Sequence, residues 1–154
     1  MWEIELTACK YSKLGKFMHA LQFADVLSIN LSEARLLFNI EDENALIEAM
    51  KKLPISMILF RVGERGLYTI QGNVHSLHPS IDSNQILDPT GCGNTSTGSA
   101  LYAYTEGKDA IMVGIMANVA ASENIKQFGV IPEFSSRREG AIQLSKQIYT
   151  EYYK

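Results

Sequence analysis

Apolar and polar positions follow two rhythms through the first half of the chain. Residues 2–6 alternate large apolar with acidic side chains, the period-two pattern of a strand. Residues 12–23 instead carry Leu14, Phe17, Met18, Leu21 and Gln22 at helical spacing. A short apolar run at 25–29, ending at Asn30, predicts a buried strand. Two helical stretches follow, over 32–38 and 43–53. The second places Leu46, Ile47, Met50 and Leu53 on one face and stops at Pro54. "ISMILFRV" (55–62) is the strongest strand pattern in the sequence. The segment from Gly63 to Gly66 turns it into a strand at 67–71, and Gly72-Asn73 turns that into another at 74–77, forming a short hairpin. Strands separated by helices of this length imply βαβ units and a mostly parallel sheet with the hairpin at one edge.

Beyond Gly98 the pattern is helical almost throughout. One helix is predicted over 94–105, ending near Gly107. Asp109 is placed to cap a second over 110–128, ending near Gly129. Ser136-Arg137-Arg138-Glu139 has the form of a capping box and opens a last helix reaching Tyr153. Tyr149, Tyr152 and Tyr153 form its expected packing face. No repeat, low-complexity tract or linker interrupts the chain, so one domain, or part of one, is expected.

Composition narrows the class. The chain has 154 residues, 46% hydrophobic and 20% charged, in the range of an ordinary soluble domain. Its net charge of −3, with no basic stripe interleaved with aromatics, argues against nucleic acid as a partner. No apolar run reaches the roughly 18 residues that a membrane helix needs. Cys9 and Cys92 are far apart and build no disulfide framework, which predicts a reducing, cytoplasmic location. His75 and His78 sit together near the hairpin but lack a third ligand, so no metal is assigned to them.

The chemistry concentrates in "DPTGCGNTSTG", 88–98, where a strand end gives way to small residues and then a helix. Gly91 and Gly93 let the backbone approach a ligand closely, and the unpaired N–H groups of a helix start favour an anion. No Walker A loop is present, because no lysine lies between Asp88 and Lys108. The dinucleotide fingerprint fails because Gly93 is followed by Gly98, and Ser96 lacks the glycines of a nucleophile elbow. On the pattern alone, a turn whose glycines serve geometry only stays equally open.

The wording of this segment is more specific than its pattern. Asp88-Pro89-Thr90-Gly91-Cys92-Gly93-Asn94 closely resembles the second signature of the PfkB/ribokinase family of carbohydrate kinases, Asp-Thr-Thr-Gly-Ala-Gly-Asp. Asn30-Leu31-Ser32-Glu33 is similar to that family's N-x-x-E motif at a strand end. Val62-Gly63-Glu64-Arg65-Gly66 resembles its G-x-x-G turn into a hairpin. "EGKDAIMVGIMANVAASENIKQFGVIP", with Asn118 and Gly129, is similar to the paired helices and glycine loop beside the adenine pocket. The resemblance covers residues 24–154. "WEIELTAC" resembles a Trp-Glu-containing branch with fungal members, in which asparagine also stands at the last motif position.

The resemblance implies an α/β, ribokinase-like three-layer α/β/α fold, with a mostly parallel sheet and an edge hairpin. It also implies that residues 1–154 are the C-terminal, nucleotide-binding part of such a domain, without its lid and N-terminal half. A chain lacking that lid would expose sheet edge and apolar surface and tend to self-associate. In the implied site, Gly91, Cys92, Gly93 and Asn94 form the anion hole for the γ-phosphate of ATP. Cys92 also reads as a small filler of a tight turn. Glu33, with Asn30, would organise Mg²⁺ and its waters, although the same pair fits a capping box and both roles can coexist. Arg61 stands where relatives carry Lys or Thr able to reach phosphate, with a surface strand residue as the alternative. Gly63 and Gly66 would border the nucleotide. Asp88 and Thr90, with the loop around Gly129, match positions that bind a monovalent cation such as K⁺ through backbone carbonyls. Pro89 lacks only an N–H and does not block this.

The implied ligands are thus ATP, Mg²⁺, K⁺ and a small sugar-like acceptor. Of the three departures from the quoted signature, Pro89, Cys92 and Asn94, the last is the one that matters. Asn94 replaces the aspartate that takes the proton from the acceptor hydroxyl, and an amide cannot accept it at neutral pH. General-base catalysis is worth about 10²–10⁴-fold. Two functions therefore stay open: an ATP-dependent sugar kinase, or a catalytically impaired nucleotide-binding or regulatory protein with the kinase fold.

Overall fold

Val26–Asn30 (β2) and Met57–Arg61 (β3) pair in parallel, in register from Val26 opposite Met57 to Asn30 opposite Arg61. Residues of both parities are buried along them, which is why the sequence reads there as continuous apolar runs. Trp2–Glu3 (β1) adds in parallel to β2. Leu67–Gln71 (β4) runs antiparallel along β3 and turns at Gly72 into Val74–His78 (β5). The order is β1-β2-β3-β4-β5, a mostly parallel sheet ending in the expected hairpin. This arrangement comes from a computed structural model that describes residues 1–81, 86–129 and 135–152. Tyr153 and residues 130–132 of the adenine-side stretch lie outside the described residues.

The chain divides into two compact units, Met1–Gly63 with Leu67–Leu77, and Glu64–Gly66 with His78–Lys154. The first holds the sheet and three helices, Leu14–Leu21 (α1), Leu31–Phe38 (α2) and Glu43–Met50 (α3). Its core joins Leu27 and Ile29 of β2, Ile58 and Phe60 of β3, and Phe17, Leu37, Leu46 and Met50 of the helices. Phe60 stacks on Tyr68 with centroids 6.0 Å apart. Tyr68 in turn donates to Glu43 at the start of α3.

Several boundaries move inward for local reasons. The first strand stops at Glu3 rather than Leu6. Ile4 enters the core, and the chain then curls into a 3₁₀ turn at Leu6–Ala8 that leaves Leu6 half exposed. α1 starts at Leu14 because 11–13 form another 3₁₀ turn. α3 ends at Met50 and not at Leu53. Pro54 excludes helical geometry for the residue before it, and the last turn tightens so that Leu53 N–H reaches Met50.

The second unit holds Cys92–Thr105 (α4), Ala110–Asn124 (α5) and Ser135–Tyr152 (α6). α4 opens two residues earlier than expected because Gly91, at φ 82°, turns the chain directly into it. α5 is capped by Asp109, whose carboxylate accepts from Met112 N–H at 2.8 Å, as the sequence predicted. It ends at Asn124, short of the expected Phe128. Gly114, Ala117 and Ala120 are buried along it, and Ser99 of α4 donates to the Met116 carbonyl at 3.0 Å. Ser136 does not cap α6, since the helix already includes Ser135. Arg138 of α6 lies over the Tyr102 ring, 5.1 Å from its centroid. Tyr149 bonds to the Asp109 carboxylate, but Tyr152 is 51% exposed and is not on a packing face.

Gly66 and Gly72 both have positive φ, at 104° and 56°, but differ in their surroundings. A Cβ on Gly66 would strike the His78 carbonyl oxygen and come within 2.8 Å of Ser80 N, whereas one on Gly72 would meet open space. Gly72→Ala is therefore expected to cost about 1 kcal/mol, the strain of the left-handed region alone. Gly66→Ala should cost about 3 kcal/mol or more, because backbone must move. Urea midpoints of the two variants check the difference.

Candidate functional site

The glycine turn of the second unit is built from two directions. Within it, Asp88 Oδ1 accepts from the Thr90 N–H at 2.9 Å. Asp88 Oδ2 reaches out to accept from the Gly129 N–H at 2.8 Å. These bonds, the Gly129 amide first, hold the Asp88 carboxyl below the usual carboxylate range. From the far helix, the Leu87 and Asp88 N–H groups donate to the Ile125 carbonyl, at 3.0 and 3.4 Å. Asn124, wholly buried, donates to the Thr90 carbonyl at 2.7 Å and to Cys92 Sγ at 3.5 Å. Cys92 Sγ donates to the Ala121 carbonyl at 3.6 Å. Cys92 is thus more than a filler of space.

α4 springs from this frame. Cys92 N–H bonds to the Pro89 carbonyl at 3.2 Å and Thr95 N–H to Gly91 at 2.9 Å. The amides of Gly93 and Asn94, between them, have no acceptor among the described residues. They stand at the positive end of a 14-residue helix, where an anion is favoured. The Asn94 side chain is exposed.

The first unit carries a second polar group at the carboxyl ends of β2 and β3. Asn30 caps α2: its Oδ1 accepts from the Glu33 N–H at 2.9 Å, and Glu33 Oε2 accepts from the Asn30 N–H at 2.8 Å. This is the complete capping box. Arg61, in register with Asn30, puts Nη2 3.0 Å from Glu3 and 4.0 Å from Glu33. Its side chain is only 15% exposed, so Arg61 is not a surface strand residue. Its Nε is buried with no acceptor among the described residues. Cys9, buried nearby, has its thiol pushed up to about 11, by burial first and by the Glu33 carboxylate second.

Asn118, expected beside the adenine, spends its amide elsewhere. It donates to the His78 carbonyl at 2.7 Å and the Pro79 carbonyl at 3.0 Å. That backbone is the one Gly66 packs against, and Ser80 Oγ bonds to the Glu64 carbonyl of the same glycine turn. Asn118 therefore anchors the G-x-x-G turn at its Gly66 end. A cleft of about 380 Å³ opens among α4, α5 and α6, lined by Ser99, Tyr102, Met116, Ala120 and Ile142. At 100° per residue, Met116 and Ala120 lie on the side of α5 away from Asn118. The cleft is thus on the opposite side of α5 from Asn118. Sequence reasoning passed over Glu3, Asn124 and the buried role of His78. Asn124 had one visible signal, an amide at the end of a mostly apolar helix.

The sequence profile described as pfkB family carbohydrate kinase matches residues 5–137. An uncharacterized sugar kinase of Archaeoglobus fulgidus is 26% identical over 116 residues, covering 75% of this chain and 46% of that protein. The structure of Arabidopsis thaliana ribokinase complexed with ribose and ATP matches with a TM-score of 0.72 and 25% identity, covering 84% of this chain and 43% of that one. Adenosine kinase from Sinorhizobium meliloti matches at 0.74 and 22%, covering 84% and 41%. The chain spans less than half the length of these relatives. The ribokinase-like α/β fold expected from the motifs is present.

His78 gives the second unit a pH response. Its ring lies against Gly114 and is 3% exposed. Burial lowers its pKa from 6.5 to about 4, against an opposing pull from Asp109. The folded state keeps the ring neutral, so the unfolded chain takes up the proton first as pH falls. This component of stability is whole above pH 6.5 and declines down to about pH 4. Its full size is about 3 kcal/mol. Asp88, held below 3.8, titrates beneath that window. Urea midpoints between pH 4 and 7.5 should fall with pH, and His78→Gln should flatten the slope.

Proposed function

Because this chain belongs to the pfkB family of carbohydrate kinases, we propose that it carries the phosphate-handling part of an ATP-dependent phosphotransferase. The enzyme would move the γ-phosphate of ATP to a hydroxyl of a sugar or similar alcohol. The observation that supports this most is the turn at Gly91, after which the Gly93 and Asn94 amides open α4 with no protein acceptor among the described residues. Such fixed donors stabilise charge that develops on a transferring phosphoryl group, and they need no reorganisation to do so. Asp88 and Asn124 hold the turn, and Gly91, Cys92 and Gly93 form its wall.

Arg61 and Glu33 take the nucleotide side in this reading, together with Gly63, Gly66, Asn118 and Gly129. The buried Nε of Arg61 is a donor that a phosphate oxygen would satisfy. Glu33 Oε2 already accepts from the Asn30 amide, and the described residues contain no group of three or more acidic, His or Cys side chains that could hold a metal ion. Mg²⁺ fits only as an ion held mainly by phosphate and water, with Glu33 ordering the waters. When bound, it would neutralise charge between phosphates. The carbonyls of Asp88 and Thr90, drawn to the Gly129 loop by the Asp88–Gly129 bond, are the proposed K⁺ ligands.

Asn94 favours a second reading, nucleotide binding without efficient transfer. Its amide can orient an acceptor hydroxyl but cannot take the proton. Titration calorimetry with ATP and Mg²⁺ and an ADP-release assay over a sugar panel separate the two. The chain should bind ATP, and Asn94→Asp should raise transfer by about 10²–10⁴-fold where an acceptor is bound. Binding without any transfer in Asn94→Asp would leave the nucleotide-binding protein. Absence of ATP binding would remove both readings.

A further inference from the structure

The two amide hydrogens of Asn124 straddle a single residue. Nδ2 donates to the Thr90 carbonyl at 2.7 Å and to Cys92 Sγ at 3.5 Å, so one side chain grips the chain on both sides of Gly91. Gly91 is where the backbone turns left-handed, at φ 82°, and α4 begins at the next residue. The direction of α4's first amides depends on that dihedral. Asn124 is wholly buried at the end of α5, 34 residues from Thr90 in sequence, and water does not compete for its hydrogens there. Asp88 also braces the turn, but from a partly exposed position and as a charge. Cys92 closes the frame by donating to the Ala121 carbonyl, one helical turn back along α5.

We propose that Asn124 is a positioning residue for the anion-binding turn: by fixing Gly91 between Thr90 and Cys92, it keeps the Gly93 and Asn94 amides aimed at a terminal phosphate. The link to phosphate rests on the kinase reading above; the grip on Gly91 does not. Asn124 touches no substrate, so its removal acts through the turn. The loss should appear with ATP, whose third phosphate needs the aimed amides, and not with adenosine.

The test uses ¹⁵N-labelled chain, as wild type and as Asn124→Asp, a near-isosteric change that loses the donors, and Asn124→Ala. In the wild type, the Asn124 side-chain amide protons should show NOEs to Thr90 and Cys92; their absence overturns the proposal even if neither variant folds. In folded variants, backbone resonances of 90–94 should move more than those of the sheet. ATP affinity should fall about tenfold, as expected for losing a buried hydrogen bond, while adenosine affinity stays within twofold. Equal loss for ATP and adenosine would make Asn124 a support of the fold only and overturn the proposal, as would unchanged ATP affinity. If wild type binds no ATP, the kinase reading fails, and the NOEs and the 90–94 resonances alone decide the grip on Gly91.

Discussion

In the second unit, one left-handed residue sets the rest. Gly91, at φ 82°, turns the irregular segment 86–90 directly into a helix that begins at Cys92. A chain reversal this abrupt cannot hold itself, because the residues around it are too few to make many bonds with one another. Asp88 braces it at Thr90 and Gly129, and the end of α5 adds the Ile125 carbonyl, the Ala121 carbonyl and the Asn124 amide. α5 is rich in apolar and small residues, interrupted by Asn118 in its middle and by Ser122, Glu123 and Asn124 where it meets the turn. The pairing of α4 with α5 and the geometry of the anion-binding amides are thus consequences of one arrangement.

The first unit pairs charge with charge, where the second pairs one carboxylate, Asp88, with neutral amides. Three strands end together, and their last polar residues come from different elements: Glu3 on β1, Asn30 on β2 and Arg61 on β3, with Glu33 one turn into α2. Arg61 lies between two carboxylates, which is how a guanidinium can be largely buried. Glu33 completes a capping box and still belongs to this charged group. A residue with a structural task can therefore keep a second one, because a carboxylate has more lone pairs than a cap requires.

Much of this was legible in the sequence, and the failures have a common cause. The parallel strands showed as unbroken apolar runs, the hairpin through Gly72, and the α5 cap through Asp109, all set by neighbours within a few residues. The glycine turn and the Asn30–Glu33 pair were legible by their motifs. What escaped depends on contacts between distant segments. Leu6 alternates correctly for a strand, yet the chain leaves the sheet after Glu3 to bury Ile4 and Cys9. Ser136–Glu139 has the letters of a capping box but sits inside α6. For Arg61 the sequence left a phosphate-reaching residue and a surface strand residue equally open, because its partners Glu3 and Glu33 lie on other elements. Nothing local marks Asn118 as the residue that holds His78 and Pro79.

The contact between His78 and Gly114 ties two distant positions into one unit of variation. The imidazole occupies the space that a Cβ at 114 would need. Its thickness therefore sets how near α5 comes to the strand end, which the Asn118 bonds require to be near. A sequence that keeps this fold cannot gain a side chain at 114 while imidazole remains at 78. It must first shrink residue 78, and a small residue at 78 facing glycine would leave a void. The two positions are expected to drift only together, as a large-with-none or small-with-small pair, so their joint history records the spacing of this helix more faithfully than either residue alone.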